Sequence, residues 1–127
     1  MNSVVLDASA ILAVVHCEKG FEKVVPHLEG GLISAVNYAE VLKKAVERGM
    51  ELLTVRQLLQ NFAIIIVPFD SLQAAETARL WPLVRSLGLS FADRACLALG
   101  ILRAASVLTA DARIGEAKLP VKIKMIR

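Results

Sequence analysis

Short apolar runs alternate along this chain with longer segments of helical periodicity. Five runs, at residues 4–6, 32–34, 64–67, 106–108 and 121–126, are rich in β-branched or aliphatic side chains and predict strands. Most are continuously apolar rather than alternating, the pattern of strands covered on both faces in a parallel sheet. The last one alternates. Val121, Ile123 and Met125 fall on one face and Lys122 and Lys124 on the other, which predicts an edge strand with one wet face. Between the runs, residues 8–15, 21–28, 37–48, 55–62, 72–87, 91–104 and 112–117 carry helical patterning. Gly49 is placed to end the third helix and Pro82 to start, kink or break the fifth. The sixth is the most apolar and is predicted to be central. Strands separated by helices give an α/β fold with a mainly parallel sheet.

The 127 residues suit a single domain, 1–127, with one core. With 56% apolar and 21% charged residues the composition is globular and excludes the disordered class. The mean hydropathy of +0.58 is high for such a domain. No apolar run approaches the roughly 18 residues of a membrane span, so no membrane partner is expected. The excess predicts apolar surface covered by a partner or a second copy. Met1-Asn2-Ser3 has no basic region, and Asp7 interrupts what a signal peptide would keep apolar, so a cytoplasmic protein is expected. Cys17 and Cys96 have no CxxC spacing and read as two buried free thiols, and His16 and His27 match no metal motif. The net charge of +3 points to nucleic acid only if an acidic site sits inside this basic chain.

Four acids are candidates for such a site. Asp7 and Asp111 each follow a predicted strand, where open α/β sheets build their ligand sites. Glu40 and Asp93 each fall near the start of a predicted helix. Each also has a bland reading. Asp7, Ser9, Thr109 and Asp111 suit helix caps. Asn37 and Glu40 have capping-box spacing, and Glu40 can pair with Lys43 or Lys44. Ser90 and Asp93 fit a second capping box. The joint pattern favours a site, since the topology brings all four toward one sheet edge. Their repulsion then needs a positive partner. Helix N-termini supply roughly 0.3–1 kcal/mol each, and a divalent cation supplies far more. Carboxylate and water ligands select Mg²⁺ or Mn²⁺.

These acids and their flanking residues resemble the PIN-domain family, specifically the toxins of VapBC toxin–antitoxin modules. The matching stretches are Val5-Leu6-Asp7-Ala8-Ser9, Ser34 to Glu40, Gly88-Leu89-Ser90-Phe91-Ala92-Asp93-Arg94-Ala95 and Leu108-Thr109-Ala110-Asp111. The resemblance spans the chain. It implies a three-layer fold with a five-stranded parallel sheet between helices, metal-dependent endonucleolytic cleavage of RNA, dimerisation, and inhibition by a cognate antitoxin.

On that reading Asp7, Glu40 and Asp93 hold the main Mg²⁺ or Mn²⁺ ion, directly or through waters, and activate water; Asp111 completes the site or helps hold a second ion, and Ser9 and Thr109 orient carboxylates or waters, unless they only cap helices. In-line attack is expected to leave a 5′-phosphate and a 3′-hydroxyl. Arg94 and Lys43 lead the candidates for binding RNA, beside Lys44, Arg48, Arg79, Arg85 and Arg113. Trp81 and Phe91 are candidates for base stacking, with core or partner packing the more ordinary role. Two rival readings stand at this point: a non-catalytic partner-binding module whose acids are caps, and an aspartyl phosphotransferase using Asp7. The latter usually has a second Asp two residues on, where Ser9 stands here.

Overall fold

The computed structural model describes residues 3–127; Met1 and Asn2, on which the localisation expectation partly rests, lie outside the described residues. The sheet has five parallel strands, β1 (Val4–Leu6), β2 (Leu32–Ser34), β3 (Ile65–Val67), β4 (Ser106–Thr109) and β5 (Ile123–Met125). Their order is β3-β2-β1-β4-β5. The helices are α1 (Ala8–Val15), α2 (Phe21–Val24), α3 (Ala35–Glu47), α4 (Leu52–Asn61), α5 (Ser71–Val84), α6 (Phe91–Leu102) and α7 (Ala112–Gly115).

The strands are apolar at successive positions because both faces are covered. Leu6, Ile33 and Leu108 pack among Ile11, Val24, Val41, Val55 and Leu59 of α1–α4. Their neighbours Val5, Leu32 and Val107 pack on the opposite face with Cys96 and Leu99 of α6. The period of two sends alternate residues into different layers, and both layers are dry. Residues 95–100 of α6 are all buried, as its composition predicts. Gly100 permits the close approach of α6 to β4: an added Cβ would lie 2.7 Å from Val107 Cγ2.

The departures from expectation have local causes. Pro26 lacks an amide hydrogen, so the helix from Phe21 tightens into a 3₁₀ turn at Val25–His27. Pro82 lies inside α5, which ends two residues later in another 3₁₀ turn at Arg85–Leu87. Helix α3 starts at Ala35 because Ser34 caps it, accepting from Val36 N at 3.2 Å, so Asn37 is inside the helix rather than its cap. Gly49, with φ +91°, follows its C-terminus as expected. The last strand is shorter than predicted, and Ile126 turns into the α1–α4 layer. Strand β3 is a correction: it lies at the sheet edge, and Ile65 and Ile66 are 51% and 44% exposed rather than buried. Cys17 is likewise exposed, and only Cys96 is the buried thiol expected.

The strand order reverses beside β1: the chain runs outward through β2 and β3 on one side, and through β4 and β5 on the other. Ligand crevices in open α/β sheets form at such a switch point, outside the carboxyl ends of the strands.

Candidate active site

At that switch point the chain leaves β1 through Asp7 and leaves β4 through Thr109, Ala110 and Asp111. Helix α3, entered from β2, carries Glu40. Asp93 is the third residue of α6, which packs against both β1 and β2. The four predicted acids therefore face one cleft. They line one cavity of about 120 Å³, with Ser9, Ser90, Lys44 and Arg113 completing its wall.

Asp7 is only 4% exposed, and its side chain makes no cap bond to α1. It is held instead by two hydroxyls. Ser9 Oγ donates to Asp7 Oδ2 at 2.6 Å and Thr109 Oγ1 donates to the same oxygen at 2.8 Å. Each hydroxyl in turn accepts a backbone amide, Ser9 from Ala110 at 2.9 Å and Thr109 from Asp111 at 3.0 Å. The amides fix the hydroxyls and the hydroxyls fix the carboxylate. Both donors fall on Oδ2, and neither uses Oδ1. Burial pushes the Asp7 carboxyl above its usual value of 3.8, the two hydroxyls oppose this, and the charges of Asp93 and Glu40 add to the rise. Perturbed acids of this kind cluster at functional sites.

The other three acids each have a cation or a cap. Glu40 pairs with Lys44 at 3.3 Å, one turn on. Asp93 forms the predicted capping box, its Oδ2 accepting from Ser90 N at 2.8 Å while Ser90 Oγ accepts from Asp93 N at 3.2 Å. Asp111 caps α7, accepting from Arg113 N at 2.9 Å. Arg113 then closes over this side: its guanidinium lies 3.1 Å from Asp111 Oδ2 and 3.8 Å from Asp93 Oδ2, and donates to the Gly88 carbonyl at 3.0 Å. Burial raises the Asp111 carboxyl, but its hydrogen bonds with Arg113 prevail and hold it below the ordinary value.

Two residues in or near the site carry no chemical signal in the sequence. Cys96 is fully buried; burial, and then the nearby Asp7, Asp93 and Glu40 charges, keep its thiol neutral far above the ordinary range. Asn37, also fully buried, donates to the Ala92 carbonyl at 2.9 Å and so ties α3, which carries Glu40, to the start of α6, which carries Asp93. Its capping-box spacing with Glu40 gave no hint of this.

The basic candidates separate. Lys44 and Arg113 are in the cleft. Lys43 faces away and pairs with Glu47 at 2.9 Å. Arg94, next to Asp93 in sequence, turns to α5 and donates to the Thr77 carbonyl at 2.9 Å. Arg79 pairs with Glu76, and Arg48 with Glu18. Arg85 sits over the half-exposed Trp81 ring, and Phe91, also half-exposed, meets Phe69 edge to face.

Among the described residues no three acids converge as a ready-made ligand cage. The cavity nevertheless suits an ion that keeps its water. Its 120 Å³ has room for about four waters at roughly 30 Å³ each. The donors are all oxygen, and after Lys44 and Arg113 are counted the wall keeps two negative charges in excess. A Mg²⁺-like ion, bound through one or two carboxylates with the rest of its shell water, fits this wall.

Among solved structures the chain resembles a toxin–antitoxin complex from Klebsiella pneumoniae, with a TM-score of 0.78, 14% identity and 98% of each chain covered. It also resembles DNA-bound VapBC from Salmonella typhimurium, with a TM-score of 0.77, 16% identity and all of each chain covered. A third is VapC20 of Mycobacterium tuberculosis, described as a sarcin–ricin loop cleaving toxin, at a TM-score of 0.75 and 10% identity, covering 94% of this chain and 98% of that one. No curated protein is a match. The PIN domain family matches residues 4–119, a span that holds all four acids and every strand but the last. This chain belongs to the PIN-domain family.

Proposed function

We propose that this chain is a metal-dependent endoribonuclease, the toxin of a VapC-type toxin–antitoxin module acting in the cytoplasm. The observation that carries the reading is the Asp7 arrangement: a buried carboxylate with Oδ2 locked by two hydroxyls, Oδ1 left open, and three further acids around one small cavity. Helix capping does not account for it, because the Asp7 side chain makes no cap bond to α1.

On this reading Asp7 and Asp93 hold the ion, Mg²⁺ or Mn²⁺, with Glu40 joining through water. When bound, the ion supplies Lewis acidity toward water and toward the phosphate oxygens. The protein's part is orientation. Ser9 and Thr109 set the carboxylate plane of Asp7. Asn37 sets the spacing between α3 and α6. Lys44 and Arg113 soften a cleft that would otherwise repel a polyanion, and Lys44 is better placed than Lys43 to meet phosphate. Hydrolysis in line, with water attacking phosphorus and the 3′-oxygen leaving, ends in a 5′-phosphate and a 3′-hydroxyl.

The partner reading draws on exposed apolar surface. A groove of about 350 Å³ between α3, α4 and the open β3 edge is lined by Ile11, Tyr38, Leu53, Leu59 and Ile66 among others. It holds no acid, so it is not a site of this chemistry. It suits the apolar segment of an antitoxin, and the exposed Leu72, Leu83 and Trp81 of α5 suit a second copy. The similar structure from Klebsiella pneumoniae is a toxin–antitoxin complex.

The test is cleavage of total cellular RNA by the purified protein with Mg²⁺ or Mn²⁺, then with EDTA, beside Asp7→Asn. Discrete fragments bearing 5′-phosphates, dependent on metal and on Asp7, are expected. Fragments that persist in EDTA or in the variant would refute the assignment.

A further inference from the structure

The four acids of the cleft are not equally free. Asp111 has both oxygens engaged by one residue, Oδ1 by Arg113 N and Nε and Oδ2 by the guanidinium at 3.1 Å. The same guanidinium lies 3.8 Å from Asp93 Oδ2, which also accepts from Ser90 N. Its other amino group is tied to the Gly88 carbonyl at 3.0 Å, so the side chain is held at two ends across the cleft. On the opposite wall Lys44 takes one oxygen of Glu40. What remains without a cation or a hydrogen-bonded donor is one oxygen each of Asp7, Asp93 and Glu40, whereas Asp111 keeps neither.

We infer that the cleft takes one divalent ion and not two, because the guanidinium of Arg113 occupies the Asp111 side where a second ion would bind. The inference concerns the number of ions in the site proposed above and rests on that reading. Charge supports it. Four carboxylates face Lys44 and Arg113, and one divalent ion neutralises the two charges in excess. A second would leave the cleft positive, and both oxygens of Asp111 are already engaged. Arg113 is a positioning residue here: its planar fork holds Asp111 through two atoms, which a point charge does not do.

The experiment is titration of the metal-free protein with Mn²⁺ by calorimetry at low ionic strength, for the wild type, Arg113→Gln and Arg113→Lys. Each variant is first checked for wild-type far-ultraviolet dichroism. The wild type is expected to bind one ion. Arg113→Gln removes the charge and is expected either to bind a second ion or to bind the first about tenfold more tightly, the size of a unit-charge effect across a small wet cleft. Arg113→Lys keeps the charge and is expected to stay at one ion with affinity near wild type. Two ions in the wild type, or an Arg113→Gln titration that superimposes on it, would overturn the inference and leave the nuclease reading standing. No ion in any of the three proteins would overturn the metal site itself, and the inference with it.

Discussion

Replacing Thr109 with Val is the sharpest perturbation of the site, because it removes an oxygen and almost no volume. The side chain is fully buried. Its hydroxyl donates to Asp7 Oδ2 at 2.8 Å and accepts the Asp111 amide at 3.0 Å. A hydrogen bond to a charged acceptor contributes about 1.5–3 kcal/mol, and an amide left unpaired costs about 1–3 kcal/mol. The Asp111 amide bond is only part-buried, so its cost falls at the low end, and Ser9 still holds Asp7. A net loss of about 3 kcal/mol follows, or roughly 12 °C in Tm for a chain of this length. Thr109→Ser keeps the hydroxyl and loses one methyl, costing about 1 kcal/mol. The more hydrophobic substitution is therefore expected to be the worse one at a fully buried position. Urea unfolding in EDTA measures this, and a Mn²⁺ titration of the same proteins should show weaker binding for Val than for Ser. A Val variant as stable as wild type, or more stable than Ser, would refute the claim that Thr109 is there for Asp7.

Asp7→Asn is expected to abolish RNA cleavage while raising the stability of the metal-free protein at neutral pH. Burial and the neighbouring acids lift the folded pKa of Asp7 above 3.8, so the stability its protonated form confers is present below that value and lost as pH rises through the folded pKa. The advantage of Asn should thus be small near pH 4 and larger at pH 7, which thermal melts at the two pH values will show. Arg94→Met removes the bond to the Thr77 carbonyl and should lower stability by about 1–2 kcal/mol, without changing how steeply RNA binding falls with salt, as read by filter binding. Gly100→Ala places a methyl 2.7 Å from Val107 Cγ2. Overpacking of this kind costs about 1–3 kcal/mol, partly offset by helix propensity of about 1 kcal/mol, and denaturant unfolding should give a net loss.

Strands β1, β2 and β4 were legible because burial on both faces leaves an unbroken apolar run, and few other structures produce one. The same signal misled at β3. Ile65 and Ile66 are as apolar as Val5 and Leu6, yet they stand at the open sheet edge, since hydropathy reports a need for cover without saying what provides it. The start of α3 slipped by two residues for a different reason. Ser34 and Asn37 are nearly equal as caps, and only the strand's end at Ser34 decides between them. All four acids were legible because the order of strand, acid and helix fixes their sheet edge whatever the side-chain details.

The cations were less legible, and helix geometry explains why. Adjacency to Asp93 suggests Arg94, but successive side chains on a helix diverge by about 100°. A residue beside a cleft-facing acid therefore faces elsewhere, here toward α5. Lys44, four residues beyond Glu40, shares its face, whereas Lys43 is directed to Glu47. Arg113 reaches the cleft because Asp111 caps α7 and the helix's first turn carries Arg113 back over that cap. The same geometry dissolves the choice between capping acid and site acid at Asp93. A cap needs one carboxylate oxygen and a ligand needs the other, so the capping box that fixes Asp93 Oδ2 on the first turn of α6 also fixes where its second oxygen lies. At Asp111 both oxygens are spent on Arg113, and at Asp7 none is spent on a helix. The order of availability for a metal is therefore Asp7 first, Asp93 next and Asp111 last, an order set by hydrogen bonds that no spacing in the sequence encodes.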